Sequence, residues 1–264
     1  MLKKRLIPKL LLKFKENNKL PILVNSYKYS HYKTIGDPIS QAKIYEAQSA
    51  DELVILNIDS LDLQNNKFVL SYLKEFSENI FMPLTFGGGV KSVNCFNLLL
   101  NSGADKVSIN TNAVLKPNLI SEGVKNFGSQ CVVVSIDFKN VNESFEVFIN
   151  KGKERINLKL IDWVKKVEDL GAGEIILTDI DRDGTGLGLR LDIANLISES
   201  VKIPVIMSGG CGLTQHFIDC FKKTKIEGIA AGNFFCNKDQ NIFQTRSQIL
   251  NNNIENLSCY MSED

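Results

Sequence analysis

Two glycine turns and one aspartate are the residues of this sequence best suited to chemistry. Gly87-Gly88-Gly89 ends the run PLTFGGG, and Ser208-Gly209-Gly210 ends PVIMSGG. Glycine lets the backbone approach an anion closely, and the N–H groups of such a turn, or of a following helix, point at phosphate oxygens. A pair of these turns in equivalent places suits a small substrate carrying two phosphates. Tight strand-to-helix connections are the simpler alternative, weaker for the pair than for either alone. Asn110 and Thr111 fall where they would complete a site with Gly88 and Gly89, and Ala231 and Gly232 where they would complete one with Gly209 and Gly210. Asp137 closes the apolar run VVVSID ahead of a loop, which suits a general acid or base facing a bound substrate; a loop-capping aspartate is the alternative. Asp179, Asp181 and Asp183 in TDIDRDGTG could assist it or simply order their loop.

Four further charges, Arg5, Glu52, Lys106 and Glu174, each stand at the start of a predicted strand. If their faces point inward they form a ring across one end of the fold; from spacing alone, ordinary rim ion pairs are the preferred reading. Lys9 shares the face of Arg5 and Leu11, because alternate residues of a strand point the same way. An unpaired buried ammonium is costly, so the preferred reading has Lys9 snorkel to solvent. His31 and His216 make no metal or triad pattern, and no cofactor motif is present.

These residues need a scaffold that brings many strand ends to one mouth. Apolar strands at 5–12, 52–58, 82–86, 105–109, 131–137, 174–178, 203–208 and 226–231 alternate with helical stretches near 37–49, 66–79, 91–102, 115–127, 159–170, 190–200, 213–223 and 239–251. Eight βα units predict a (β/α)8 TIM barrel, for which about 250 residues is typical. The halves echo each other, ADELVILNID with AGEIILTDID and MPLTFGGGVKS with IPVIMSGGCGL, which reads as half-barrel duplication. Matching RLIPKLLLK to CVVVSIDFK sets Leu11 opposite Asp137, so a second carboxylate is missing. Residues 1–252 are expected to form the single barrel and 253–264 a polar, fraying tail. Stretches 13–36 and 138–158 are read as irregular loops over the catalytic mouth.

With 31 basic against 30 acidic residues and a net charge of +1, no footprint for nucleic acid or an anionic membrane surface is visible. The basic start MLKKRLIPKLLLKFK is read as a first strand rather than a signal peptide, since lysines and Pro8 interrupt its apolar run. Six scattered cysteines without a C-x-x-C pair suit reduced thiols, and a cytoplasmic location is expected.

In order along the chain, KRLIP, GDPI, ADELVIL, PLTFGGGVKSV, GADKVSINTNAV, FGSQCVVVSID, LGAGEIILTDIDRDGTGLG and IPVIMSGG resemble the motifs of the cyclase subunit of imidazole glycerol phosphate synthase. That resemblance implies a barrel paired with a glutaminase on its N-terminal face, which sends ammonia through the barrel to a bis-phosphorylated substrate. It also implies that Arg5, Glu52, Lys106 and Glu174 are the ammonia gate, which overturns the rim-pair reading, and that Asp105 faces the partner. Both phosphate sites and Asp137 match the family. The departures are Leu11 for the family's strand-1 aspartate, Lys9 for a cysteine and Asn57 for an aspartate. The run LLLK is similar to a paralogous branch linked to acetamidino modification of surface sugars, in which barrel and glutaminase supply nitrogen to a sugar amidotransferase. The sequence favours that branch. The alternatives are a histidine-pathway cyclase, against which the missing carboxylate argues, and a non-catalytic scaffold that activates the glutaminase.

Overall fold

The computed structural model describes residues 3–14, 21–59, 63, 67–237, 241–254 and 257. Along the chain the elements are β1 (Arg5–Phe14), β2 (Pro21–Tyr27), β3 (His31–Gly36), α1 (Pro38–Ala47), β4 (Leu53–Asn57), α2 (Lys67–Asn79), β5 (Leu84–Gly87), α3 (Val93–Asn101), β6 (Lys106–Ile109), α4 (Thr111–Leu115), α5 (Asn118–Phe127), β7 (Val132–Val141), β8 (Ser144–Ile149) and β9 (Glu154–Lys159). There follow α6 (Leu160–Asp169), β10 (Glu174–Asp179), α7 (Leu191–Ser200), β11 (Val205–Ser208), α8 (Thr214–Lys223), β12 (Gly228–Ala231), α9 (Asn233–Asn237) and α10 (Ile242–Leu250).

Strands β1, β4, β5, β6, β7, β10, β11 and β12 pair in parallel in that order, and β12 pairs back onto β1, closing the barrel. The predicted eight-strand (β/α)8 barrel is therefore the fold. Each strand splits its side chains between two cores. On β1, Leu6, Leu10 and Leu12 pack outward among the helices, whereas Ile7 joins Val54, Val133, Ile176, Ile206 and Ala230 in the lumen. Parallel strands covered on both faces are apolar throughout, and this makes their sequence signal strong. Local chemistry starts the helices: Asp37 accepts a hydrogen bond from the Ser40 N–H at 2.7 Å with Pro38 just inside the first turn of α1, the usual entry arrangement.

Two expectations are corrected. The stretches read as irregular mouth loops contain antiparallel strands: β2 and β3 extend from β1, and β8 and β9 from β7. Both parent strands run for ten residues, so they outreach the barrel and the chain folds back on them. The helix read at 115–127 is α5, which starts later, at Asn118, and a short helix that was not read, α4, ends at Leu115 before it; Lys116-Pro117 part the two because proline disfavours helical backbone in the residue before it. Within the stretch expected to fray, Ile254 and Leu257 are buried in the helix-side core, and Leu257 bridges to Lys4; the other residues beyond 254 lie outside those described.

Candidate functional site

The N-terminal end of the barrel is closed by four charges. Arg5 contacts Glu52 at 2.9 Å and Glu174 at 2.5 Å, and Lys106 contacts the same two carboxylates at 3.0 and 2.9 Å. They alternate in sign around the floor, and Thr85 donates a further hydrogen bond to Glu52 at 2.7 Å. Burial by itself would lower the Lys106 ammonium, but the two carboxylates outweigh it and the net shift is upward. Asp105 lies exposed at the same rim, its carboxylate accepting from the Leu84 N–H at 2.8 Å. Above the ring comes the apolar lumen layer, and above that a polar layer that includes Lys9, Thr178 and Ser208.

At the opposite end a cavity of about 380 Å³ is lined by Leu11, Tyr29, Asn57, Gly88, Gly89, Asn110, Thr111 and Asp137. The first predicted anion site and the predicted acid/base residue thus share one space. Asp137 is buried; its carboxylate accepts from Tyr29 Oη at 2.9 Å and from Asn110 Nδ2 at 2.8 Å. Burial pushes its pKa up to about 6, even though the Tyr29 hydrogen bond, the nearby Lys9 charge and the Asn110 hydrogen bond all favour the ionised form. Burial likewise holds the Tyr29 phenol well above its usual range, so it remains a donor. Asn110 is committed to Asp137, and the Thr111 hydroxyl accepts from the Asn150 N–H at 3.1 Å. Asn57 adds a buried amide whose Nδ2 has no hydrogen-bond partner among the described residues.

Tyr29 was not singled out by sequence. It sits with Lys28 at the tip of the β2–β3 hairpin, both at positive φ, 49° for Lys28 and 56° for Tyr29. Turns with two successive residues at positive φ prefer asparagine and glycine, and a bulky residue there is unusual. The compensation is visible: Tyr29 caps Asp137, Lys28 N–H donates to the Asp183 carbonyl at 3.0 Å, and Ser26 Oγ donates to the Asp183 carboxylate at 2.5 Å. The hairpin is tied across the mouth, and Asp183 orders it. Asp179 is held by Arg190 at 2.7 Å, and Asp181 accepts from the Asn140 N–H at 3.0 Å. These two carboxylates tie loops together; neither lines the cavity of Asp137.

The second glycine turn lines a separate small pocket with Gly209, Gly210, Ala231, Gly232, Ser208, Leu11 and Lys9. Gly88 and Gly209 have φ of 106° and 94°, and a Cβ on them would lie 2.1 Å from the Asn57 carbonyl and 2.5 Å from the Asp179 carbonyl, respectively. The turns therefore demand glycine for their own close approach to the neighbouring strand. Lys9 does not snorkel to solvent as expected. It is 5% exposed and donates to Ser208 Oγ at 2.7 Å, so a hydroxyl within the barrel satisfies one of its donors and the ammonium need not reach solvent. His216 accepts from the Gly212 and Leu213 N–H groups and orders the loop after this turn. Among the described residues, no cluster of three histidine, cysteine or acidic side chains could hold a metal ion, and no helix is long and apolar enough to cross a membrane.

A model of the histidine biosynthesis protein family matches residues 16–241. The chain belongs to this family. Its similarity extends along nearly the full length of characterised-by-name members. It is 42% identical over 255 residues to the imidazole glycerol phosphate synthase subunit HisF of Hydrogenobaculum sp. (strain Y04AAS1), covering 96% of this chain and 98% of that one. It is 43% identical over 254 residues to the putative imidazole glycerol phosphate synthase subunit hisF2 of Prochlorococcus marinus (strain MIT 9313), covering 95% and 97%. The HisF subunit of Lactococcus lactis subsp. cremoris (strain MG1363) is 42% identical over 257 residues, covering 96% of each chain. This HisF-like member of the family has two glycine turns, Asp137 and a four-charge ring, with Leu11 and Asn57 lining its mouth and Lys9 buried within the barrel.

Proposed function

We propose that this chain is the ammonia-accepting barrel subunit of a glutamine-dependent, imidazole glycerol phosphate synthase-type enzyme. The observation that carries the reading is axial: a ring of four charges stands at one end of a barrel whose other end opens on the buried carboxyl of Asp137. A glutaminase docked at the N-terminal face, against exposed Asp105 and the 83% exposed Phe81 that leads into β5, would release ammonia at the ring. Arg5, Glu52, Lys106 and Glu174 would act as its gate. The two glycine turns, with Asn110, Thr111, Ala231 and Gly232, would hold the phosphates of a bis-phosphorylated substrate. In the histidine-pathway form of the reaction, ammonia and that substrate give imidazole glycerol phosphate and an aminoimidazole carboxamide ribonucleotide.

Asp137 can serve this chemistry because a pKa of about 6 lies close to neutrality, where one carboxyl takes up and returns a proton with little penalty either way. The names of the relatives favour the histidine-pathway reading over the surface-sugar branch. One observation supports the second reading, in which the nitrogen passes to a separate sugar amidotransferase: Leu11 can neither give nor take a proton where the half-barrel echo calls for a carboxylate. Reconstitution with a glutaminase tests both. Glutamine-driven and ammonium-driven turnover of the bis-phosphorylated substrate supports the first reading. Stimulated glutamine hydrolysis with no turnover of that substrate would reject it in favour of nitrogen supply elsewhere or a scaffold role. Opening the ring by Lys106→Ala should uncouple glutamine-driven turnover while ammonium-driven turnover persists.

A further inference from the structure

The two anion sites are not chemically alike. Around the first turn the lysines are Lys91 and Lys151, both exposed. Around the second, the lysine is Lys9, which is buried within the barrel and reaches the pocket from below. An ammonium has three donors, and Ser208 Oγ takes one of them at 2.7 Å. No carboxylate among the described residues comes within ion-pair distance of Lys9. Asp137, in the neighbouring cavity, is near enough for the Lys9 charge to act on it, and the carboxylate that lines the second pocket, Asp183, is engaged by Ser26. A buried charge with donors to spare and no carboxylate in contact is costly, and an anion brought into the same pocket relieves that cost.

We propose that Lys9 is a direct ligand of the anionic group bound at the second glycine turn, its ammonium forming the floor on which a phosphate monoester rests. The inference builds on the two-site reading above and deepens it. The turn supplies N–H groups from Gly209 and Gly210, Gly232 adds one from the end of β12, and Lys9 supplies the full charge that the backbone lacks. Ser208, immediately before the turn, fixes the ammonium in place. The site then discriminates: a neutral hydroxyl or amide at this end of the substrate would leave Lys9 uncompensated, whereas a phosphate would neutralise it. The first turn relies on backbone amides and solvent-screened lysines, so salt should weaken binding there more than at the second.

Inorganic phosphate is the probe. It is titrated calorimetrically into the protein and into Lys9→Met, and soaked into crystals of both to assign each binding event to a turn. The unsubstituted protein should take phosphate at both turns, with a phosphate oxygen within hydrogen-bond distance of Lys9 Nζ. Lys9→Met should bind roughly 10- to 100-fold more weakly at the second turn, the scale expected for a charge-assisted hydrogen bond, and change little at the first. Unaltered affinity at the second turn of the variant would overturn the proposal while leaving the two-site reading intact. Phosphate at neither turn of the unsubstituted protein would overturn both. If Lys9→Met does not fold, the crystal of the unsubstituted protein still decides: phosphate seated at the second turn beyond reach of Nζ, or only at the first turn, rejects Lys9 as a ligand.

Discussion

The half-barrel that begins at β1 and the half-barrel that begins at β7 are built to the same plan and differ most sharply in the chemistry of their leading strands. Each opens with a ten-residue strand that outreaches the barrel and carries antiparallel strands over the mouth. Each contributes a glycine turn whose backbone crowds the neighbouring strand, and both reach the floor, the first with Arg5, Glu52 and Lys106 and the second with Glu174. At equivalent strand ends, however, one half presents Asp137 with two donors on it and the other presents Leu11. Duplicated architecture is thus maintained by packing and turn geometry, which both halves need, while the chemistry at a strand end can be exchanged without disturbing either. One layer below Leu11 the same strand carries a buried cation, Lys9.

The comparison breaks most readily at Asp137. If the β7 half carries the proton transfers, Asp137→Asn should lower ammonium-driven turnover about 10²–10⁴-fold, with substrate affinity nearly kept. Equal turnover in the two proteins would return the chemistry to other groups.

The same carboxyl leaves a mark on stability. Its folded pKa is raised from 3.8 to about 6, so the folded state holds the proton more tightly than the unfolded chain. The stabilisation is complete below pH 4 and is lost as pH rises through 6. Between pH 4 and 7 the unsubstituted protein should lose on the order of 3 kcal/mol that Asp137→Asn does not lose, as read by urea unfolding. Parallel pH profiles of the two proteins would contradict the assignment.

Restoring the symmetry is a smaller step. Leu11→Asp should raise cyclase-type turnover by roughly tenfold, short of a full acid/base contribution, because Lys9 beneath it holds the new carboxyl in its ionised form. No gain would mean that Leu11 is not what limits the reaction. The smallest effect is expected at the hairpin tip: Tyr29→Phe removes one hydrogen bond from the Asp137 carboxylate and should lift its pKa by about one unit. A shift of the pH–rate profile toward alkaline values would register it.

How much of this could be read from residues alone depended on distance along the chain. The eight barrel strands were legible because continuous apolar runs and their spacing are local signals, and the glycine turns and Asp137 fell at their ends for the same reason. Lys9 was misjudged because its partner, Ser208, comes from the opposite end of the chain. Tyr29 was invisible as a site residue, since Asp137 lies 108 residues away and nothing in NSYKYSHYK marks which tyrosine turns inward. The hairpins were read as irregular because β3 and β9 are largely exposed, so their alternation of apolar and polar residues is weak. The buried pair of Arg246 with Asp51, at 2.9 Å, was missed on the same grounds: α10 and the entry to β4 meet only when the barrel closes.

That closure has a consequence for synthesis. Strand β1 leaves the ribosome first, yet one of its two edges waits for β12, and Lys4 waits further for Leu257. Until the last strand emerges, an apolar edge lies open, of the kind that pairs with other chains. Lys4, Arg5 and Lys9 punctuate that edge with positive charge, and Pro8 removes one of its donors, devices that oppose edge-to-edge association. Arg5, which later joins the floor, and Lys9, which later lies beside the second glycine turn, thus also oppose association of the unfinished barrel.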